Sequence, residues 1–186
     1  MFFKFFWVIR ALVYKLFFKK IGLFSYIGKP CFIKNSNNIS IGKKVRIFPG
    51  VRMETHCGGK ILIEDDVSIG QNFHITSASN LVIKTKTTIL GNVFITNIDH
   101  EYQEIDKHIM QQKFLIKKTI IGENCFIGYG VCIQAGTILG KQCIIGANSV
   151  IRGVFPDYSV IVGAPGKVVK RYDKNLKSWK RVEYEI

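Results

Sequence analysis

Apolar residues recur along this chain with a step of six, a period that belongs neither to an α-helix nor to a flat strand. Ile121, Ile127, Ile133, Leu139, Ile145 and Ile151 stand at consecutive steps of six. Gly122, Gly128, Gly140 and Gly146 follow four of them, and Cys125, Val131, Thr137, Cys143 and Ser149 come four residues after an aliphatic. Upstream the phase runs through Ile41, Ile47 and Met53, then Ile63, Ile69, Ile75 and Leu81, then Ile83, Ile89 and Ile95. It slips near Gly58-Gly59 and at Val82, and it is looser through Ile21, Ile27, Ile33 and Ile39.

A short strand, a turn and one inward aliphatic per face satisfy such a unit. Three faces close a coil of about 18 residues, and successive coils stack about 4.8 Å apart. The aliphatics then form internal ladders, the glycines serve turns that need positive φ or close backbone approach, and slender residues fit the narrow interior. Cys125 and Cys143, one coil apart, read as core filler, since an inward sulfur cannot reach a substrate.

Three segments depart from the period. Residues 97–118 form a projecting loop between Ile95 and Thr119, opened by Asp99-His100-Glu101-Tyr102. Long loops on regular scaffolds carry function. Residues 1–20 form a basic amphipathic helix with Phe2, Phe6, Ile9, Val13 and Leu16 as one apolar stripe. Arg10 interrupts the apolar run and no small-residue cleavage site follows, so neither a secretory signal nor a spanning helix fits. An interfacial helix on an anionic membrane suits the stripe, as does packing on protein. At the other end, residues 171–186 form a capping tail. Leu176, Trp179 and Val182 at three-residue steps predict a short C-terminal helix started by Asp173.

The chain has 186 residues, a hydrophobic fraction of 47% and a net charge of +14. That is enough for one domain with a real core, and it excludes disorder. The charge is lopsided: the first 53 residues hold eleven bases and no acid, and Glu54 is the first carboxylate. An anionic partner follows, nucleic acid or membrane. No nucleic-acid motif accompanies the bases, which leaves the membrane surface. Five cysteines without a C-x-x-C pair fit reduced, cytoplasmic thiols. The histidines lack the spacing of a metal set, so no metal is expected.

The six-step run over residues 21–155 resembles the hexapeptide-repeat acyltransferases. That likeness implies an all-β solenoid, a left-handed parallel β-helix spanning residues 21–170. In the sugar and xenobiotic acetyltransferases of this fold, a histidine in an N-x-x-H context opens the loop, which implies that His100 is the general base. An imidazole with an ordinary pKa near 6.5 suits that task. His74, if it points outward, lines an acceptor pocket with Asn72 and Thr76, and Asp99 joins them. His56 reads as a turn residue and His108 as solvated.

Residues 145–171 resemble the family's closing motif with its G-x-P-x-[KR] turn. The likeness implies acetyl-CoA as donor, met by Ala147 through its backbone and by Arg152, Lys167 and Lys170 at the phosphates. Phe126 stands where family members often carry tryptophan, and Tyr129 where a small residue is common; both lie on the implied donor path. The family also implies a homotrimer with active sites between subunits. The expected activity is O-acetylation of a sugar hydroxyl in bacterial surface polysaccharide synthesis, in the cytoplasm or on the inner face of the membrane. The alternatives are N-acetylation of a nucleotide-linked amino sugar and a non-catalytic trimeric scaffold.

Overall fold

One inward aliphatic per strand leaves the chain a single way to bury its ladders. The computed structural model, which describes residues 3–182, winds into a three-sided parallel β-helix. Among the described residues, face A holds seven strands, from Lys20–Ile21 to Val154–Phe155. Face C holds six, from Phe32–Lys34 to Val150–Ile151. Face B runs from Tyr26–Ile27 to Ser159–Val162 and is extended by two antiparallel strands. Its inward ladder passes through Ile27, Ile69, Ile127 and Ile161, all fully buried. Cys125 and Cys143 lie inside as expected, and the neighbouring Cys143 sulfur together with burial pushes the Cys125 thiol up.

The glycines after the aliphatics serve close approach. A Cβ on Gly122 would lie 2.0 Å from the Gly140 carbonyl oxygen of the next coil. Positive φ falls two residues later, on Asn124 and, in earlier coils, on Lys44, Asp66 and Lys86.

Coil length is not constant. From face A to face B, and from B to C, inward residues are always six apart. From C back to A the step is 8 after Ile33, 10 after Met53, 8 after Ile75, 26 after Ile95, 6 after Ile133 and 4 after Ile151. Every departure from the period therefore falls at one corner. An 18-residue coil would set His74 beneath Asn92; with the extra residues, its register partner is Phe94.

Helix α1 (Phe3–Tyr14) covers the N-terminal end of the coils. Ala11 and, just beyond the helix, Phe18 enter the core cluster. Trp7 packs on Tyr26 and Phe48, and the Arg10 guanidinium donates to the Ile27 carbonyl at 3.1 Å. The expected apolar stripe is the opposite side: Phe6, Ile9, Val13 and Leu16 are exposed, Leu16 at 82%. Phe2 lies outside the described residues. No helix among the described residues is long and apolar enough to cross a membrane.

The C-terminal helix expected from Asp173 is absent from the described residues. Strands Lys167–Asp173 and Ser178–Arg181 form an antiparallel hairpin there, and the first of them crosses the expected boundary at 171. Asp173 Oδ1 does accept from the Asn175 and Leu176 amides, at 2.9 and 3.0 Å, as a helix-starting residue would. The chain then reverses through Lys177 at φ 47. β-Branched Val168 and Val169 favour the strand, and Tyr172 meets Trp179 across the pair at 5.5 Å.

Candidate active site

The longest insertion, at the C-to-A corner, is a hairpin of Ile98–His100 with Phe114–Ile116. Its anchor is Asn97, fully buried. The Asn97 amide donates to Ser77 Oγ and Ser79 Oγ at 3.0 and 2.9 Å, and its oxygen accepts from the Ala78 amide at 2.9 Å. The Lys117 amide donates to the Asn97 carbonyl and closes the hairpin's base. Such full satisfaction of a buried amide holds the strand entering His100 in one place.

Successive side chains of a strand point to opposite sides. Asp99 reaches the C-terminal coils, where its Oδ2 accepts from Arg152 at 3.2 Å and Lys117 Nζ lies 3.9 Å away. His100 packs edge-on against Phe114, with centroids 4.9 Å apart, and the other neighbour of that ring is His56 at 6.3 Å.

Beneath this pair lies a carboxylate. Glu54 points outward from face C yet is only 7% exposed. Arg52 Nε donates to its Oε1, His74 Nε2 stands 3.5 Å from the same oxygen, and His56 Nε2 stands 3.6 Å from Oε2. Burial alone would raise the Glu54 carboxyl; the hydrogen bond and charge of Arg52, helped by His56 and His74, outweigh it and hold the group below its usual range. Burial and the Arg52 charge push the His74 imidazole down. The approach of His74 to Glu54 lacks hydrogen-bond geometry. Among the described residues, the buried side-chain nitrogens and oxygens with no hydrogen-bond partner are His74 Nε2 and His100 Nδ1.

Of the expected acceptor residues, His74 and Thr76 face outward beside Glu54, and Thr76 Oγ1 donates to Thr96 Oγ1 at 2.8 Å. Asn72 is an exposed corner residue at φ 55. Asp99 turns toward the expected donor base Arg152. His108 is exposed and accepts from the Met110 amide. His56 lies in its turn and belongs to the carboxylate cluster as well. Sequence reasoning missed Glu54, His56, Asn97 and Phe114 as site residues. A signal was present for Glu54: it follows the inward Met53, which sets it outward on the line of Lys34 and Thr76.

The expected donor residues are spread over the prism. Tyr129 and Ala147 are exposed at the B-to-C corner of consecutive coils, with the Tyr129 hydroxyl bonded to Asn92. Phe126 projects from face B, 42% exposed. Arg152 stands across face C at the other corner. Lys167 follows the turn whose Gly166 amide donates to the Val150 carbonyl, and Lys170 lies farther along that strand opposite Val160.

A three-sided parallel β-helix wound on a six-residue repeat is the architecture of the hexapeptide-repeat class. The bacterial transferase hexapeptide family (six repeats) matches residues 118–153. A protein of Escherichia coli strain K12 assigned to lipopolysaccharide biosynthesis as an O-acetyl transferase, WbbJ, is 31% identical over 159 residues, covering 82% of this chain and 81% of that protein. The galactoside O-acetyltransferase of Lactococcus lactis is 28% identical over 159 residues, covering 84% and 68%. Among solved structures, AntD, an N-acyltransferase of Bacillus cereus determined with dTDP and coenzyme A, superposes with a TM-score of 0.75 at 19% identity, covering 90% and 91%. The chain belongs to the hexapeptide-repeat acyltransferases, an enzyme family whose left-handed parallel β-helix is the fold described above.

Proposed function

We propose that this enzyme transfers an acetyl group from a coenzyme A thioester to a sugar hydroxyl during assembly of a bacterial surface polysaccharide. One observation carries this reading: the two buried nitrogens without a hydrogen-bond partner, on His74 and His100, stand at the two ends of one chain of contacts over face C, from His74 through Glu54, His56 and Phe114 to His100. Nearly all buried polar atoms in folded proteins have partners, so orphaned ones at one place favour a ligand that supplies them. The WbbJ and galactoside relatives, both O-acetyl transferases by name, favour a hydroxyl.

The thioester, when bound, supplies an activated acyl carbon. Ala147, Arg152, Lys167 and Lys170 hold it toward the C-terminal coils, with Phe126 and Tyr129 along its path. His100 takes the proton from the acceptor hydroxyl as that oxygen attacks, and returns it to the departing thiol. No covalent enzyme intermediate is needed. Glu54, His74 and Thr76 hold the acceptor.

The chain works as a homotrimer in this reading. A single copy leaves Phe126 on face B and Arg152 on the far side of face C, so neighbouring copies are needed to bring the donor contacts together. Exposed Val8 and Leu12 line one groove with Leu23, Phe24 and Lys15, and Phe6, Ile9, Val13 and Leu16 are exposed on the same helix or just beyond it. That pairing of apolar and cationic side chains suits an anionic leaflet. Light scattering that finds a monomer would remove the first assignment, and anionic vesicles that leave the full chain unbound at low salt would remove the second.

Replacing His100 with Ala should lower acetyl transfer by about 10²–10⁴-fold with binding of coenzyme A unchanged. Release of free thiol from acetyl-CoA in the presence of sugar acceptors measures it. Equal rates in the variant would end the general-base assignment.

A further inference from the structure

The outer side of face C carries a row of side chains that runs past His74, away from the hairpin, farther than a single acceptor sugar at His100 reaches. In strict register from the first coils to the hairpin stand Phe32, Arg52, His74 and Phe94. All four end in flat groups. The Arg52 guanidinium lies 5.5 Å from the Phe32 ring centroid, and the His74 and Phe94 rings are 4.9 Å apart. At one strand spacing per step the row is about 14 Å long. Its outer half is open to solvent, with Phe32 47% exposed and the Arg52 side chain 48%, while His74 and Phe94 are half-buried.

Beside it runs a second outward line, Lys34, Glu54, Thr76 and Thr96. The two lines together offer flat apolar and cationic faces next to the exposed Lys34 and the half-buried Thr76 hydroxyl, with Glu54 and Thr96 buried between them. Pyranose rings present the matching surfaces: C–H faces that lie on planar side chains, and a rim of hydroxyls that accept from an ammonium group and exchange hydrogen bonds with a hydroxyl. The His74 nitrogen without a partner lies on this row. Arg52 is already neutralised by Glu54, which takes away the attraction a nucleotide's phosphates would need.

We propose that this row is a track for a glycan chain, so that the acceptor is an oligosaccharide whose reacting sugar reaches His100 while the following sugars lie along Phe94, His74, Arg52 and Phe32. The proposal rests on the acetyltransferase reading and names its substrate class. The track ends at the coils that α1 covers, where the Arg10 guanidinium holds the Ile27 carbonyl.

Phe32→Ala tests it, because the residue is exposed and lies at the end of the row away from His100. The probes are oligosaccharides of one, two and four sugars released by mild acid from the producing cell's surface polysaccharide. In the wild-type chain, kcat/KM for acetyl transfer should rise at least about ten-fold from one sugar to four, and Phe32→Ala should erase that gain through KM while its single-sugar rate stays within about two-fold. No dependence on length in the wild type, or equal losses for one and four sugars in the variant, overturns the track. So does dissociation of the variant's oligomer by light scattering, which would make the row a contact between copies. Competition by a nucleoside diphosphate that Phe32→Ala relieves also overturns it. If no sugar of any length accepts acetyl, the acetyltransferase reading fails by itself. Saturation-transfer NMR with the four-sugar probe then decides the track: binding to the wild type that Phe32→Ala abolishes upholds it, and no binding to the wild type ends it.

Discussion

The corner between faces B and C and the corner between faces C and A are built on the same strands, yet they are held to different standards. At the first, every inward residue follows its predecessor by six. At the second, the step runs from 4 to 26 residues. The first corner is filled by inward side chains such as Val51, Phe73, Val93 and Val131, all buried. An added residue there would turn a ladder inside out. At the second corner extra chain can leave the prism without disturbing the stack. Asn97, His56 and the hairpin with His100 all stand at that corner, and Glu54 and Thr76 lie on the strands that lead into it. Function has been added where the repeat tolerates length.

Phe73→Ala puts the largest strain on this contrast. Phe73 is the largest fully buried side chain, and its ring fills the B-to-C corner. Its loss should cost about 3–5 kcal/mol of stability, with a cavity that the coils above and below cannot close. The urea midpoint measures it. A cost under about 1 kcal/mol would mean that the rigid corner is no more tightly packed than the variable one.

What the sequence reveals follows the same division. The ladders are legible because each strand sends one aliphatic inward, and the hairpin is legible as a lapse in a counted period. His100 is found from its place at the opening of that lapse and from the family's histidine-bearing loop. Glu54 and His56 stay hidden, since their neighbours depend on coil length. A uniform coil puts Asn92 above His74, whereas insertions of two and four residues bring Phe94, Arg52 and the carboxylate together. Orientation of α1 is illegible for another reason. The docked side is Trp7, Arg10, Ala11 and Tyr14, chosen by Tyr26, Phe48 and the Ile27 carbonyl on the coil and not by the helix's own most apolar stripe. At the C-terminus, three-residue spacing imitates a helix in a segment whose valines and aromatics pair as strands.

Excising residues 98–117 gives the converse of the Phe73 experiment. Asn97 would then join Lys118, and the interval from Ile95 to Ile121 would return to six. The hairpin's two ends already meet, with the Lys117 amide on the Asn97 carbonyl. Removal of twenty residues should therefore change stability by less than about 1 kcal/mol, because short closure at an existing contact costs little. Acetyl transfer should vanish with His100. A shortened chain that melts as early as Phe73→Ala would show that the hairpin supports the prism and would break the contrast between the two corners.

The smallest expected effect is on pH dependence, and it separates two members of the cluster. His74 is packed against Arg52, Glu54 and Phe94, and its imidazole is pushed below the ordinary value of 6.5. As pH falls past 6.5 the unfolded chain takes up a proton at this position that the folded chain does not, so stability declines from there down to the lowered value. Glu54, held below its ordinary 4.5, supplies stability above that value and loses it as pH falls through its lower, folded value. The two windows are distinct. His74→Gln keeps a polar side chain of similar reach and should flatten the urea midpoint just below pH 6.5, while the steeper decline below pH 4.5 remains. An unaltered profile in the variant would remove His74 as the source of the upper window.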